Sequence, residues 1–407
     1  MKPGLRSNII YYCSLAVLLD AFLIPDIKIA QGLPTFQLID FLMPLIMYGL
    51  LPKLHDLRKY WWTAYTLLFS VYILIPIFLN HEVNRLNDYF ELYRVIKLGV
   101  VFLLFTQCKL KEFDGIIKAC FLVLIGVNLL HFYNIFHINS ILSWAYGDNI
   151  HFQFFGKNSL GEPAVKRMLG TMANPNTNAL LFLFFSTYFF TKTSENNSWS
   201  YFFMALFMVF LCQSRTSLIS VGLLLVVLIV QGYSLGIFKI FWRLVVAIGL
   251  YVFATALATS FFRYSPYSMS LLDGSALHSV SLRSRWESWE IIWRMIQEKP
   301  IFGYGPYKSY FTSMKLYAEN EYLLMWWRYG VIGLIFYLGL YLIPFWEMIR
   351  RKVTYSMLRA ILFIGVMVIT ALTNNPLNER SICLLFIYLL ATGLQNSAQH
   401  EETPAYR

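Results

Sequence analysis

Apolar runs recur from one end of the chain to the other, separated by short stretches in which charged residues and asparagines gather. A run of roughly 17–25 residues is needed to cross about 30 Å of hydrocarbon as a helix. On that measure the pattern predicts about twelve transmembrane helices, near 9–24, 36–51, 61–79, 89–107, 116–136, 177–190, 199–212, 217–230, 237–262, 322–346, 357–373 and 382–394. Two polar segments, about 137–176 and 263–318, stand apart as long loops. The expected fold is an all-α integral membrane protein in which residues 1–407 form a single polytopic domain.

The second long loop carries its own periodic pattern. In RSRWESWEIIWRMIQEKPIFGYG, Trp286, Trp289, Trp293 and Ile296 recur at helical spacing, which predicts an amphipathic helix with a tryptophan face. Lys299-Pro300 ends it, because proline restricts the residue before it, and Gly303 and Gly305 permit a tight turn. A tryptophan stripe opposite charged positions suits a helix lying at a membrane–water interface. Arg285, four residues before Trp289, emerges near that face.

Composition agrees with the membrane reading: 58% of residues are hydrophobic and only 14% charged. A net charge of +11 could point to nucleic acid, but many of the lysines and arginines flank apolar runs, where the positive-inside bias of membrane proteins places them. Starting with the N-terminus inside puts KLHDLRK, CKLK and RRKVTYSMLR on the cytoplasmic side. Both long loops, the tip QSRT and the loop TNNPLNERS then fall outside, with the amphipathic helix roofing a site there. Five scattered cysteines give neither a disulfide framework nor a CxxC metal site. The first apolar run lacks a clear small-residue cleavage site and reads as a retained span.

Under this topology several polar residues converge on the outer face. Arg167 precedes the sixth span, Arg215 sits at the tip between the seventh and eighth, Arg285 begins the amphipathic helix, and Arg380 precedes the last span. Glu319, Asn320 and Glu321 stand at the entrance to the tenth, and Arg94 lies with Glu91 and Lys97 in the outer half of the fourth. Arginine suits a diphosphate, because its planar fork donates charge-assisted hydrogen bonds and stays protonated. The competing reading of each arginine is a loop residue meeting lipid headgroups. For Arg215 that reading must oppose the positive-inside bias. Glu319 or Glu321 could act as a base toward a sugar hydroxyl, or either could simply favour a helix N-terminus. Trp289 could anchor the helix or stack on sugar. Asp20, Asp40, Glu91, Arg94 and Lys97 are costly within a span, at roughly 2.5–3.5 kcal/mol for a central charge. The chain has no GxxxxGKS, HExxH, GxSxG or GxGxxG motif, and no aspartates two residues apart as in a DxD metal pair. No cofactor is expected.

Several short motifs, in order, resemble the O-antigen polymerase and O-antigen ligase superfamily of bacterial envelope glycosyltransferases. They are R-x-L-G-T-x-x-N-P-N at 167–176, S-R-T at 214–216, R-x-x-x-W at 285–289, K-P-I-F-G-Y-G at 299–305, E-N-E-Y-L at 319–323 and T-N-N-P at 373–376. The resemblance implies metal-independent transfer from an undecaprenyl-diphosphate-linked glycan at the periplasmic face of the inner membrane. It implies that Arg215 and Arg285 hold the diphosphate, with Arg167 and Arg380 as further candidates, and that Glu319 takes the acceptor's proton; Arg94, Glu321, Asn320 and Trp289 are substrate-binding candidates by their own placement on the outer face. The ligase branch has a histidine where Glu319 stands, so AEN in place of AHN favours polymerisation of lipid-linked repeat units. The alternatives are ligation of a finished glycan to lipid A-core or another acceptor, and transport of a lipid-linked sugar. Membrane lipid and a chain-length regulator protein are candidate partners; nucleic acid is not.

Overall fold

The computed structural model of the chain describes residues 3–25, 27, 35–51, 61–108, 110–146, 167–190, 198–233, 280–314, 316, 318–351 and 353–395. Their helices are α1 (Pro3–Leu23), α2 (Leu38–Leu50), α3 (Trp61–Leu79), α4 (Tyr89–Thr106), α5 (Asp114–Tyr133), α6 (Ile138–Tyr146), α7 (Pro175–Phe190), α8 (Ser198–Cys212), α9 (Arg215–Tyr233), α10 (Val280–Glu298), α11 (Lys308–Met314), α12 (Glu321–Ile349), α13 (Tyr355–Thr370) and α14 (Arg380–Gln395). Every expected apolar run among the described residues is a helix, ending within a few residues of its expected bounds. Among the described residues, four helices are long and apolar enough to cross a membrane: Leu5–Leu23 of α1, then α3, α5 and α12. The expected span 237–262, and the loop stretches 147–166 and 263–279, lie outside the described residues.

The chain divides into two compact units. The first comprises Met1–Cys120, Arg283–Ile364 and Ala371–Arg407. Within it α1 packs on α2 and α14, α4 on α3 and α14, and α12 on α3. Helices in this setting approach through small residues; the Thr63 hydroxyl of α3 donates to the Gly99 carbonyl of α4 at 3.1 Å. The acidic residues that the sequence places inside spans have local employment. Asp20 accepts from the amides of Leu38 and Ile39, at 3.2 Å each, and so caps α2 from a neighbouring helix. Asp40 accepts from Lys97 Nζ at 2.9 Å and from the Gln37 amide at 2.7 Å.

α12 is a broken helix. Gly330, at φ 66° and ψ −174°, interrupts it, so the carbonyls just upstream cannot meet their usual amides four residues on. The turn after α10 supplies donors instead. Tyr304 N donates to the Trp327 carbonyl at 3.1 Å and Gly305 N to the Arg328 carbonyl at 2.6 Å, while the Tyr72 hydroxyl takes the Tyr329 carbonyl at 2.6 Å. Beyond the break, Val331 N donates to the Pro300 carbonyl at 2.8 Å. Irregular backbone survives beside apolar helices only where such partners are found. The KPIFGYG stretch is therefore the piece that completes a split helix. It is fixed from the other side by two asparagines that follow α3: Asn80 donates to the Gly303 carbonyl at 2.9 Å, and Asn84 to the Tyr304 carbonyl at 2.7 Å.

The second unit comprises Phe121–Leu282 and Gly365–Thr370. Its core is aromatic: Phe121 of α5 meets Phe182, Phe185 and Phe189 of α7 and Tyr201 of α8 at ring-centroid distances of 4.9–6.5 Å. The start of α7 explains the Asn-Pro-Asn motif. Asn174 Oδ1 accepts from the Asn176 amide at 2.8 Å and from the Thr177 amide at 3.4 Å, and Pro175 occupies the first helical position, where a missing N–H costs nothing. Asn174→Ala is expected to lower stability by about 0.5–2 kcal/mol. Its melting temperature in detergent should fall while Asn174→Asp holds close to wild type; equal melting of the alanine variant and wild type would discard the capping role.

Candidate functional site

The first unit gathers a set of charged side chains around the entrance to α12. α10 ends where expected, at Lys299-Pro300, but its buried stripe is turned from the tryptophan face toward Arg285, Trp289, Ile292 and Ile296. Ile292 and Ile296 are fully packed, whereas Trp286 and Trp293 are exposed. Trp289 lies on the buried side, with its ring 5.9 Å from that of Trp286. This rotation brings Arg285 to Glu319: the guanidinium Nε donates to the carboxylate, with the Arg285 side chain 22% and the Glu319 side chain 40% exposed. An arginine and a carboxylate are thus joined at a partly exposed place.

Glu321, two residues on, is built differently. It is fully buried. Its Oε2 accepts from the Tyr337 hydroxyl at 2.9 Å and from the Leu377 amide at 3.2 Å, and its own amide donates to the Ala371 carbonyl at 2.9 Å. Asn320 between them caps α12, its side chain accepting from the Leu323 amide at 3.1 Å. Both residues are therefore committed to holding the chain: Glu321 tethers the TNNPLNE loop and Asn320 starts the helix. Asn375 Nδ2 adds a tie to the Ala318 carbonyl at 2.7 Å, which joins the loop to the segment beside Glu319.

Arg94 fixes the other side of that loop. Its Nη1 donates to the Leu377 carbonyl at 3.1 Å and to Asn378 Oδ1, and its Nη2 pairs with Glu91 at 2.7 Å. Glu91 is shared with a residue that sequence reasoning passed over: Lys308 Nζ lies 2.7 Å from its other oxygen. Burial pushes the Lys308 pKa below that of an ordinary lysine, and the Glu91 carboxylate opposes the shift. A cleft of about 150 Å³ opens here, and Arg94, Lys97, Lys308 and Arg380 line it together with Asp40 and Glu91. Four cations against two carboxylates leave the cleft with an excess of positive charge.

Arg328, in α12, was also missed. It is only 7% exposed and its guanidinium lies over the Phe311 ring, 5.8 Å from the centroid. Its one signal in the sequence is a charge seven residues into an apolar run, a placement that is expensive without a function or a partner.

The second unit brings Arg167 and Arg215 to one turn. Arg167 Nε donates to the Cys212 carbonyl at 3.1 Å and its Nη2 to Asn176 Oδ1 at 2.9 Å, while Met168 N donates to the Leu211 carbonyl at 3.1 Å. Arg215 is the first residue of α9, three positions beyond Cys212, after a left-handed Gln213 at φ 51°. Buried amides brace the segment behind: Asn178 donates to Asn128 Oδ1 at 2.8 Å, and the Leu169 amide donates to His131 Nε2 at 3.2 Å. The R-x-L-G-T-x-x-N-P-N motif thus spends most of its residues on local structure and leaves Arg167 pinned to the α8–α9 turn.

The break in α12, the KPIFGYG stretch that completes it and the Arg285–Glu319 pair at its entrance fall within a stretch that a known family shares. Residues 200–338 match the O-antigen ligase family. The O-antigen ligase match runs from α8 into α12, so it takes in Arg215, Arg285, Lys308, Glu319, Glu321 and Arg328 but leaves out Arg94, Arg167 and Arg380. Family members are glycosyltransferase-like enzymes of polysaccharide and lipopolysaccharide assembly. The family is involved in handling lipid-linked glycan, and the long apolar helices of this chain suit a multi-pass membrane protein. No curated protein matches the chain.

Proposed function

We propose that the chain is a polysaccharide polymerase of the inner membrane that joins undecaprenyl-diphosphate-linked repeat units at the periplasmic face. The observation that carries this reading is the Arg285–Glu319 pair, partly open and held at the entrance of α12. In the reaction, a hydroxyl of an acceptor repeat attacks the anomeric carbon of the donor glycan. The bond from that carbon to the diphosphate oxygen breaks as the new C–O bond forms, and the electron pair leaves with the diphosphate. Arg285 binds phosphoryl oxygens of the leaving diphosphate and stabilises that charge, a role of the oxyanion-hole kind. Glu319 takes the hydroxyl proton.

A diphosphate that takes over the Arg285 fork leaves the Glu319 carboxylate without that partner and free to face the acceptor hydroxyl. Glu321, sealed among its partners, acts as a positioning residue for the loop.

The family's own description favours a second reading, ligation of a finished glycan onto an acceptor. Deleting the protein separates the two. Loss of a polymerase leaves single repeats on the surface acceptor; long chains accumulating on the carrier lipid would instead make it a ligase. Polymerisation further requires that purified protein lengthen lipid-linked repeats in detergent, and failure there with both substrates present would reject it.

A further inference from the structure

A polymerase handles two lipid-linked substrates, and the Arg285–Glu319 pair accounts for one. The cleft beside Arg94 offers the chemistry for another. Glu91 is its hinge: one carboxylate, 6% exposed, answers both Arg94 and Lys308 at 2.7 Å each. Arg328 lies within electrostatic reach of both Glu91 and Lys308. It is buried, has no ion-pair partner among the described residues, and two of its nitrogens, Nε and Nη1, have no hydrogen-bond partner. Leaving a buried guanidinium so under-used is expensive, because each unanswered donor carries its full desolvation cost. Arg94 Nε is likewise without an acceptor. Arg94 and Lys308 pair with Glu91, the Glu321 carboxylate also lies within electrostatic reach of Arg94 and Arg328, and donors that folding has not satisfied remain on both arginines. Such an arrangement fits an oxyanion with several acceptor atoms, and a phosphoryl group meets that description. Neither Arg285 nor Arg328 lines this cleft, but Arg328 adjoins it through the Lys308 helix, whose Phe311 ring lies 5.8 Å from the Arg328 guanidinium. The TNNPLNE loop joins the two places: its Asn375 ties to Ala318 beside Glu319, while its Leu377 and Asn378 line the cleft against Arg94.

We propose that Arg94 and Lys308, which line the cleft, together with the adjoining Arg328 form a second phosphoryl-binding subsite, which holds the diphosphate of the acceptor substrate while Arg285 serves the donor. The inference rests on the polymerase reading for the identity of the ligand, but the binding itself can be tested alone. The loop between the subsites then sets how far the acceptor's sugar reaches toward Glu319.

The test is calorimetric titration of the purified full-length protein in detergent with farnesyl diphosphate, with inorganic pyrophosphate and glucuronate as competitors. Wild type is expected to bind two equivalents. Lys308→Gln and Arg328→Gln should each weaken one of them at least tenfold and spare the other, which Arg285→Gln removes. Pyrophosphate should displace the second equivalent and glucuronate should not. A single equivalent in wild type overturns the subsite, as does a second equivalent that both variants retain at wild-type affinity. Displacement by glucuronate as effective as by pyrophosphate makes the subsite a carboxylate site and overturns the phosphoryl assignment. Should Arg328→Gln fail to fold, Lys308→Gln decides, because that side chain is 37% exposed on a short helix. If Arg285→Gln keeps both equivalents while Lys308→Gln loses one, the donor role of Arg285 fails and the second subsite stands.

Discussion

Gly330→Ala is expected to leave little folded protein. At φ 66° and ψ −174°, Gly330 occupies backbone territory that is nearly closed to residues with a Cβ, and strain of this kind costs about 1–3 kcal/mol. The added methyl would also run into the Ile301 carbonyl, and relief by shifting Ile301 would pull the KPIFGYG stretch off the carbonyls of Trp327 and Arg328. Each carbonyl then stranded in the interior adds about 1–3 kcal/mol. Gly303 is its partner in this closure, since a Cβ there would stand 2.6 Å from the Arg328 carbonyl. The control is Gly222→Ala, in α9 of the other unit, where nothing lies within 4 Å of the new carbon. That change should be neutral or stabilising by roughly 0.5–1 kcal/mol, the helical advantage of alanine over glycine. Thermal melting in detergent reads both. If Gly330→Ala melts with wild type, the left-handed break does not hold the split helix together.

The break was hard to see in the sequence for a physical reason. A lone glycine within an apolar helical run is tolerated often enough to say little, and nothing local to YGVIG announces that its donors come from a turn some 25 residues earlier. The same run hid Arg328, because hydropathy summed over a span dilutes one charge among many apolar neighbours. Lys308 falls in the stretch 263–318 that the sequence reads as a loop, where a lysine is the ordinary surface residue. What the sequence did disclose was periodic or punctuated. The apolar runs gave the helices, with 61–79 matching α3, and Lys299-Pro300 marked the end of α10. The tryptophan spacing gave the helix but not the face it buries: Ile292 outcompetes Trp286 and Trp293 for the interior. The glutamates illustrate the limit well. Glu319 and Glu321 are two residues apart in one motif, yet one meets Arg285 at the surface and the other is sealed beneath a loop that arrives from residue 377. Only a long-range hydrogen bond separates their roles, and no local pattern encodes it.

Arg285→Ala is expected to abolish long-chain glycan, with transfer by purified protein falling at least 100-fold, in line with the cost of removing one oxyanion donor. Arg285→Lys should recover part of that, since lysine supplies the charge without the planar fork that grips two phosphoryl oxygens. Glu319→Gln should lose turnover by about 10²–10⁴, as for a general base, while donor binding survives. These single changes alone would also fit a pair whose task is to brace α10 against the entrance of α12. The exchanged variant, Arg285→Glu with Glu319→Arg, distinguishes the two. A brace would work in either orientation, and a partly exposed pair is worth at most about 1 kcal/mol as structure, so the exchanged protein would then make normal ladders. In the proposed chemistry the exchange puts a carboxylate where the diphosphate must sit, and repulsion keeps the enzyme silent at full expression. Long ladders from the exchanged variant, measured on a gel against normalised protein, would reduce the pair to scaffolding and leave the leaving group without its stabilising charge.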